Sequence, residues 1–488
     1  MTDARHYALI VLLTSAVGLV AVLSNLVTSR LKVPVPLLVL VGAAFAVELV
    51  PDLVAPSERT VERVVTVALV VILFEGGMHI GWSRFREAAV PTVVVGVVGT
   101  FLTTAGVAGL LHYGLGFGWY VALLVATAVA PTDPAVVFSV LGQREITGRS
   151  GTILEGESGA NDPVGIALMG SLVVAGSLSA STFGQVGLEF LLQMGIGGVA
   201  GLAGGFLLRA FMRTVPLPSE ALYPLRALAC ALMLYGVTTL AHGSGFLAVF
   251  VAGIVIGDGR APYKREIERF HSALASLAEV VAFVVLGLTV DLHTLARADV
   301  WAPGLLLGAC LALVIRPLVV GLCLAPARLQ RNERTFILFA GLKGAVPILL
   351  GELLRVAQVP EAERLYGIVV VVVIFSVLVQ GGLLPTAARV LGLRMRTVEP
   401  EPWALGVRLR DEPAGVHRLT VAEGSPMDGR TIEDLADLSS DGWVSMVVRD
   451  GALVPVRGDT TMRAGDLVVI LADPELEGTF TSIFERQR

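Results

Sequence analysis

Charge is scarce in this chain. Only 16% of its 488 residues are Asp, Glu, Lys or Arg, where soluble domains carry about 25%, and that shortfall excludes an ordinary soluble globular fold. Cysteine is nearly absent: Cys230, Cys310 and Cys323 all lie in apolar segments. Their spacing fits neither a metal site nor a disulfide framework, so they read as small buried residues. The apolar stretches do not alternate with polar residues, which excludes a transmembrane barrel. No glycine-rich dinucleotide fingerprint occurs, so NAD binding is not expected. No nucleophile–base or metal-ligand set accompanies the acids, which argues against an enzyme. Nothing points to nucleic-acid binding.

What the chain has instead is hydrophobicity: 55% apolar residues and a mean hydropathy of +0.78. The apolar residues fall in blocks of roughly 20, each able to span ~30 Å as a helix. Thirteen spans are predicted, at about 7–29, 33–50, 64–81, 88–112, 118–142, 152–177, 184–208, 220–242, 244–258, 272–291, 301–324, 334–354 and 366–388. Alternate connections between them collect 18 Lys and Arg residues, from Arg30 and Lys32 to Arg394 and Arg396, against 5 on the other side. Positive charge marks the cytoplasmic face, so the N-terminus is expected outside and the C-terminus inside. The first stretch is too long for a signal-peptide core and is read as a span. Residues 400–488 differ in kind: 16 acids against 9 arginines, net −7 within a whole-chain charge of −5. Such a shift predicts a membrane domain over 1–398, an extended linker at 399–403 and a soluble domain over 404–488.

Two spans are interrupted at mid-depth by residues that a helix resists. The fifth contains Ala130-Pro131-Thr132-Asp133-Pro134 and the twelfth Gly341-Leu342-Lys343-Gly344-Ala345-Val346-Pro347. Each proline removes an N–H donor and frees a carbonyl, and such backbone survives at membrane depth only against protein or a wet cavity. The two sites are seven spans apart, as two six-span inverted repeats with one extra helix would place them, and that pattern points to a transport site.

Mid-span charges are expected at Glu75, Asp133, Glu157, Asp162, Glu279, Arg316 and Lys343. Charges at membrane depth are costly and usually functional, at ~2.5–3.5 kcal/mol each on insertion scales. Asp162 has Asn161 and Ser158 as neutral oxygen donors nearby, and Thr132 with Asp133 can add more from the fifth span. Oxygen-rich coordination of this kind suits a hard monovalent cation, with fewer carboxylates than a calcium cage uses. Arg316 needs a carboxylate: Glu157 is its natural partner, with Glu279 and Glu75 as competitors. Lys343 is suited to compensating carbonyls freed at the helix break. Glu75 either reaches the cation through water or satisfies a neighbouring helix.

Taken together, Pro131–Pro134, Glu157-Ser158-Gly159-Ala160-Asn161-Asp162-Pro163, Gly341–Pro347 and Leu73–Gly77 resemble the monovalent cation:proton antiporter-1 family. Within it the likeness is to the bacterial NhaP-type potassium or sodium/proton antiporters that carry a TrkA-C domain. The resemblance implies an all-α polytopic fold of 13 transmembrane helices in a bacterial inner membrane. It implies a homodimer with a dimerisation domain and a core that moves like an elevator. It implies that Asp162 is the essential cation/proton carboxylate, with Ser158, Thr132 and Asp133 completing the cation site and Glu75 reached through water. The family pairs the acid at Glu157 with the arginine at Arg316. Asn161 before Asp162, rather than a second aspartate, implies electroneutral exchange. In the family this resembles, arginine usually stands where this chain has Lys343, which keeps the charge and loses the planar fork.

After residue 403 the pattern turns to short strands, at Val407–Leu409, Gly415–Val421, Trp443–Arg449 and Asp466–Leu471, with a helix at Thr431–Leu438. This resembles the C-terminal subdomain of RCK (TrkA-C) regulators, a small cytoplasmic α+β domain. The likeness implies dimerisation and leaves room for a small effector such as a cyclic dinucleotide; no other cofactor is expected. The function expected is potassium/proton exchange, with sodium possible, for cytoplasmic cation and pH homeostasis. The alternative is a regulated cation channel, for which no carbonyl-filter motif is present.

Overall fold

The computed structural model describes residues 35–49, 56–141, 144–146, 149–177, 180–259, 262–327, 329–393, 395–397, 415–438, 442–450, 452–473 and 476–484. The span expected at 7–29, the linker at 399–403 and the strand expected at Val407–Leu409 lie outside them. The chain forms two compact units, Met1–Trp403 and Ala404–Arg488.

The first unit is helical. In chain order it contains α1 (Val35–Leu49), α2 (Glu58–Val93), α3 (Thr100–Gly109), α4 (Trp119–Val129), α5 (Pro134–Leu141), α6 (Arg149–Ala175), α7 (Ala180–Thr214), α8 (Leu222–Leu240), α9 (Gly245–Gly257) and α10 (Lys264–Gly287). Then come α11 (Ala298–Cys310), α12 (Arg316–Cys323), α13 (Arg331–Phe339), α14 (Ala345–Val356), α15 (Ala362–Phe375) and α16 (Gly382–Val390). A two-stranded antiparallel ladder joins β1 (Arg144–Ile146) to β2 (Met395–Thr397).

Among the described residues, six helices are long and apolar enough to cross a membrane, and α1, α4 and α9 are apolar but shorter. The spans expected at 64–81 and 88–112 lie in one 57-residue helical run, Glu58–Gly114. Inside it Gly81 leaves helical geometry at φ +66° and ψ 167°. Two blocks that composition separates are therefore joined by a single-residue break rather than a loop.

Helices α2 and α9 cross at backbone contact. A Cβ on Gly77 would lie 2.3 Å from Phe250 O, and one on Gly253 2.4 Å from Phe74 O. Small residues on both sides let the helices approach this closely, the usual device for helix association where lipid removes the hydrophobic drive. The crossing fixes the Leu73–Gly77 stretch, and with it Glu75.

The second unit is a four-stranded antiparallel sheet in the order β3-β6-β4-β5, built from β3 (Val416–Thr420), β4 (Gly442–Arg449), β5 (Ala452–Val454) and β6 (Leu467–Ala472). Two helices, α17 (Ile432–Leu438) and α18 (Glu477–Phe484), accompany it. Alternate residues Val468 and Ile470 of β6 turn inward with Val444 and Val447 of β4 and with Phe480 and Phe484, the period-two burial of a one-sided sheet. β5 and α18 were not anticipated: three strand residues and one amphipathic turn pair are too short to stand out by periodicity.

One ion pair ties this sheet together. Arg449 Nε and Nη2 donate to the two oxygens of Asp466 at 2.8 and 2.7 Å, and the Arg463 amide donates to the same carboxylate at 2.8 Å. Burial pushes the Asp466 carboxyl up, but these donors outweigh it and hold the carboxyl below the usual range. Its stabilisation is therefore full above about pH 3.9, the unfolded value, and is lost as pH falls through the lower folded value. Asp466→Asn is expected to destabilise the sheet by about 3 kcal/mol at neutral pH. Hydrogen exchange of the β4 and β6 amides in the full-length protein should show this, with wild type and variant converging in acid.

Candidate functional site

Two helix interruptions meet inside the first unit. Helix α4 stops at Val129 and α5 resumes at Pro134; α13 stops at Phe339 and α14 resumes at Ala345. Pro131 and Pro134 in the first gap and the glycines of the second explain why the chain cannot continue as helix there. The gaps are stitched to each other: Asp133 N donates to Leu342 O at 2.8 Å. Lys343 Nζ donates to Ala130 O at 2.8 Å and Pro131 O at 2.9 Å. These carbonyls form the negative end of α4, where a cation is favoured. Asp133 precedes Pro134 and accepts from Ala135 N at 2.8 Å, so it caps α5 with proline at its first position.

Helix α6 lies against this junction and presents Glu157, Ser158, Asn161 and Asp162, all buried. The spacing of four between Glu157 and Asn161, and between Ser158 and Asp162, puts each pair on one side of the helix. Arg316 Nη1 donates to Glu157 Oε1 at 2.6 Å and Nη2 to Oε2 at 3.1 Å, a two-pronged pair. Thr132 Oγ1 donates to Glu157 Oε1 at 3.3 Å and accepts from Asn161 Nδ2 at 2.7 Å. Ser158 Oγ donates to Asp162 Oδ2 at 3.3 Å. Asp162 is 7% exposed, and its charged neighbours are Asp133, Lys343 and Glu157.

Glycine is required where these charges approach the second gap. A Cβ on Gly341 would stand 1.9 Å from Arg316 Nε, and one on Gly344 1.8 Å from Asp133 Oδ2. Any side chain at either position would displace the charged group beside it. The sequence flagged these glycines as helix breakers; their second task, admitting two charged side chains, is visible only in three dimensions.

Of the sequence-selected side chains, Thr132, Glu157, Asn161 and Arg316 are joined by hydrogen bonds, Ser158 is bonded to Asp162, Asp133 is a charged neighbour of Asp162, and Lys343 is bonded to the Ala130 and Pro131 carbonyls. Glu75 is placed elsewhere. It lines a cavity of about 640 Å³ together with His79, Arg84, Asp258, Glu268 and Arg269, and its charged neighbours are His79 and Glu155. Glu279 loses the contest for Arg316 to Glu157. Its Oε1 is buried without a hydrogen-bond partner among the described residues, and the charge it senses is that of Asp133. Glu155 escaped the sequence reading although it sits in the same α6 stretch; it pairs with His79 at 3.4 Å. Ser376 and Gln380 were missed too, and their signal was available as two polar residues four apart in an otherwise apolar block.

The oxygens nearest the Asp162 carboxylate in these contacts are the Ser158 hydroxyl, bonded to it, and the Asp133 carboxylate, its charged neighbour; the Thr132 hydroxyl is bonded to Glu157 and Asn161. Among the described residues no three His, Cys, Asp or Glu side chains converge as a metal site. The arrangement can hold a hard, singly charged guest, cation or proton, on Asp162.

Similarity to known proteins extends over both units. The chain is 32% identical over 468 residues to a protein named K(+)/H(+) antiporter NhaP from Alkalimonas amylolytica, covering 95% of this chain and 81% of that one. It is 30% identical over 392 residues to one named Low-affinity Na(+)/H(+) antiporter NhaS1 from Synechocystis, covering 74% and 70%. The solved structure of the sodium proton antiporter MjNhaP1 from Methanocaldococcus jannaschii superposes with a TM-score of 0.65 at 22% identity, over 78% of this chain and 99% of that one, which establishes likeness of fold. Residues 416–485 match the TrkA-C domain. Residues 17–390 match the family described as Sodium/hydrogen exchanger, transmembrane, and the chain belongs to that family.

Proposed function

We propose that this protein is a secondary cation/proton antiporter in which one cation and one proton compete for Asp162. The observation that carries the reading is the charge balance around that carboxylate. Arg316 is matched to Glu157, and Lys343 is held by the Ala130 and Pro131 carbonyls. Among the described residues, Asp162 is left with a hydroxyl donor, Ser158, and no cationic side chain bonded to it. A bare buried carboxylate pays a large desolvation penalty, several kcal/mol after relaxation, so the loaded form is the one able to cross. Loading by proton on one side and by cation on the other couples the two flows without ATP. Asn161 before Asp162, in place of a second aspartate, supports an exchange that is one for one and electroneutral.

In this reading Asp133, Thr132 and Ser158 supply the remaining cation oxygens, Asn161 orients Thr132, and Glu75 works from the cavity through water. The chain makes thirteen crossings, two of them interrupted, in inverted repeats whose core moves against a dimerising scaffold. The N-terminus faces out, and the TrkA-C unit regulates transport from the cytoplasm of a bacterial inner membrane. Potassium is favoured over sodium by the names of the relatives that match along nearly the whole chain, with sodium the competing substrate.

Reconstituted proteoliposomes test this directly. A potassium gradient should drive internal pH change, sodium should do so less well, and clamping the membrane potential should leave the rate unchanged. Unitary currents in planar bilayers would instead favour the channel.

A further inference from the structure

Beside Arg316 lies a small cavity, and its lining includes Arg316, Gly341, Lys343, Ser376 and Gln380 but not Glu157. It offers about 10 Å³ of space to the centre of a water-sized sphere. A single water needs roughly 10–15 Å³ of such space and about two to four polar partners.

The guanidinium shows what that space serves. Of its three nitrogens, Nη1 and Nη2 are used on Glu157, and Nη2 also donates to Ile337 O at 3.2 Å. Nε is buried with no acceptor among the described residues, in a residue only 5% exposed. It faces Gly341, where an added Cβ would come within 1.9 Å of it. A buried, charge-bearing donor left without an acceptor is among the more expensive defects a fold can carry. Also in the lining, Ser376 Oγ donates to Gln380 Oε1 at 3.1 Å and accepts from Lys343 N at 3.2 Å. A hydroxyl oxygen and an amide oxygen each keep a further lone pair.

The backbone around the cavity is unusual in two segments. Residues Leu311–Ile315, immediately before Arg316, and Ser376–Gly381 are π-helical turns. Such turns are rare and cluster at functional sites, because the extra residue re-aims the side chains next to it. Here one π turn sets Arg316 and contributes Leu311 and Ala312 to the wall, while the other brings in Ser376 and Gln380.

We propose that this cavity binds one ordered water, which accepts from Arg316 Nε and donates to the Ser376–Gln380 pair. That makes Ser376 and Gln380 positioning residues for the cation site. The water fixes the guanidinium through Nε, the guanidinium fixes Glu157, and Glu157 fixes Thr132, one of the oxygens placed at the cation. The functional half of this chain of contacts rests on the antiporter reading; the water itself does not.

Two measurements test the proposal. An experimental map of the wild-type protein, at a resolution that shows ordered waters, should place one within hydrogen-bonding distance of Nε; a dry cavity overturns the proposal. Ala312→Thr and Ala312→Val then introduce the same shape into the wall with and without a hydroxyl. The threonine can replace the water's oxygen, whereas the valine fills the space and strands Nε. The valine variant should show an apparent KM for the cation about tenfold above that of the threonine variant, with kcat much less affected. Equal KM values in the two variants would overturn the positioning role. Should neither variant fold, the map decides. If wild type exchanges no cation at all, the antiporter reading fails while the water density still stands or falls by itself.

Discussion

Replacing Asp162 with asparagine is expected to abolish cation-driven proton movement in everted membrane vesicles while leaving the protein folded and membrane-inserted. The side chain keeps its shape, and its neighbour Ser158, 3.3 Å away, can still bond to an amide oxygen. What disappears is the carboxylate at the centre of the proposed exchange, the one for which cation and proton compete. Without it no proton is released when a cation arrives, so coupling has no physical basis. Removing a neighbour is a milder change: Ser158→Ala deletes one neutral ligand and leaves the carboxylate, so exchange should persist with weakened cation affinity. A dequenching assay with potassium and then sodium reads both variants. Exchange by the asparagine variant at the wild-type rate would remove Asp162 from the centre of the mechanism.

Much of this site was legible in the chain because membrane burial makes polar residues conspicuous. Arg316 and Glu157 stand 159 positions apart, yet each is a charge in an apolar block, Arg316 the lone one in its span, and a guanidinium at that depth must find a carboxylate. The two interruptions were legible for a similar reason: prolines and glycines leave carbonyls that something must answer. Lys343 answers those of Ala130 and Pro131 with an ammonium reaching both. One ammonium with three donors is enough to reach both carbonyl oxygens, so lysine meets this demand without the planar fork of an arginine.

Other features were not legible because they depend on which surfaces meet. Glu75 looks like one more acid near mid-span, but the glycine-lined crossing of α2 with α9 turns it towards a separate cavity with His79 and Arg84. Periodicity carries no information about that crossing. The join at Gly81 was hidden as well: composition shows two apolar blocks, and one residue with positive φ decides how they connect. The π turns before Arg316 and at Ser376 are equally silent, since an extra residue per turn leaves hydropathy unchanged.

The pair between Arg316 and Glu157 should dominate stability in a way that neither residue predicts alone. Both side chains are almost fully buried, at 6% and 3% exposure. Glu157→Leu would leave a guanidinium without its carboxylate, and Arg316→Met would leave a carboxylate with only Thr132 as donor among the described residues. Each single change is expected to cost about 3–5 kcal/mol, a large fraction of the 5–15 kcal/mol that typically holds a domain together. The double variant behaves differently, because two apolar side chains of similar volume bring no uncompensated charge. Thermal melts in detergent should therefore show both single variants strongly destabilised and the double variant restored most of the way to wild type. Its transport should not be restored with it. Thr132 would lose the acceptor that orients its hydroxyl, and the cation would meet a site with one oxygen misplaced. A double variant as unstable as the singles would mean that the contact matters for shape rather than for charge. A double variant that is both stable and fully active would mean that the ion pair is a structural element apart from the transport site.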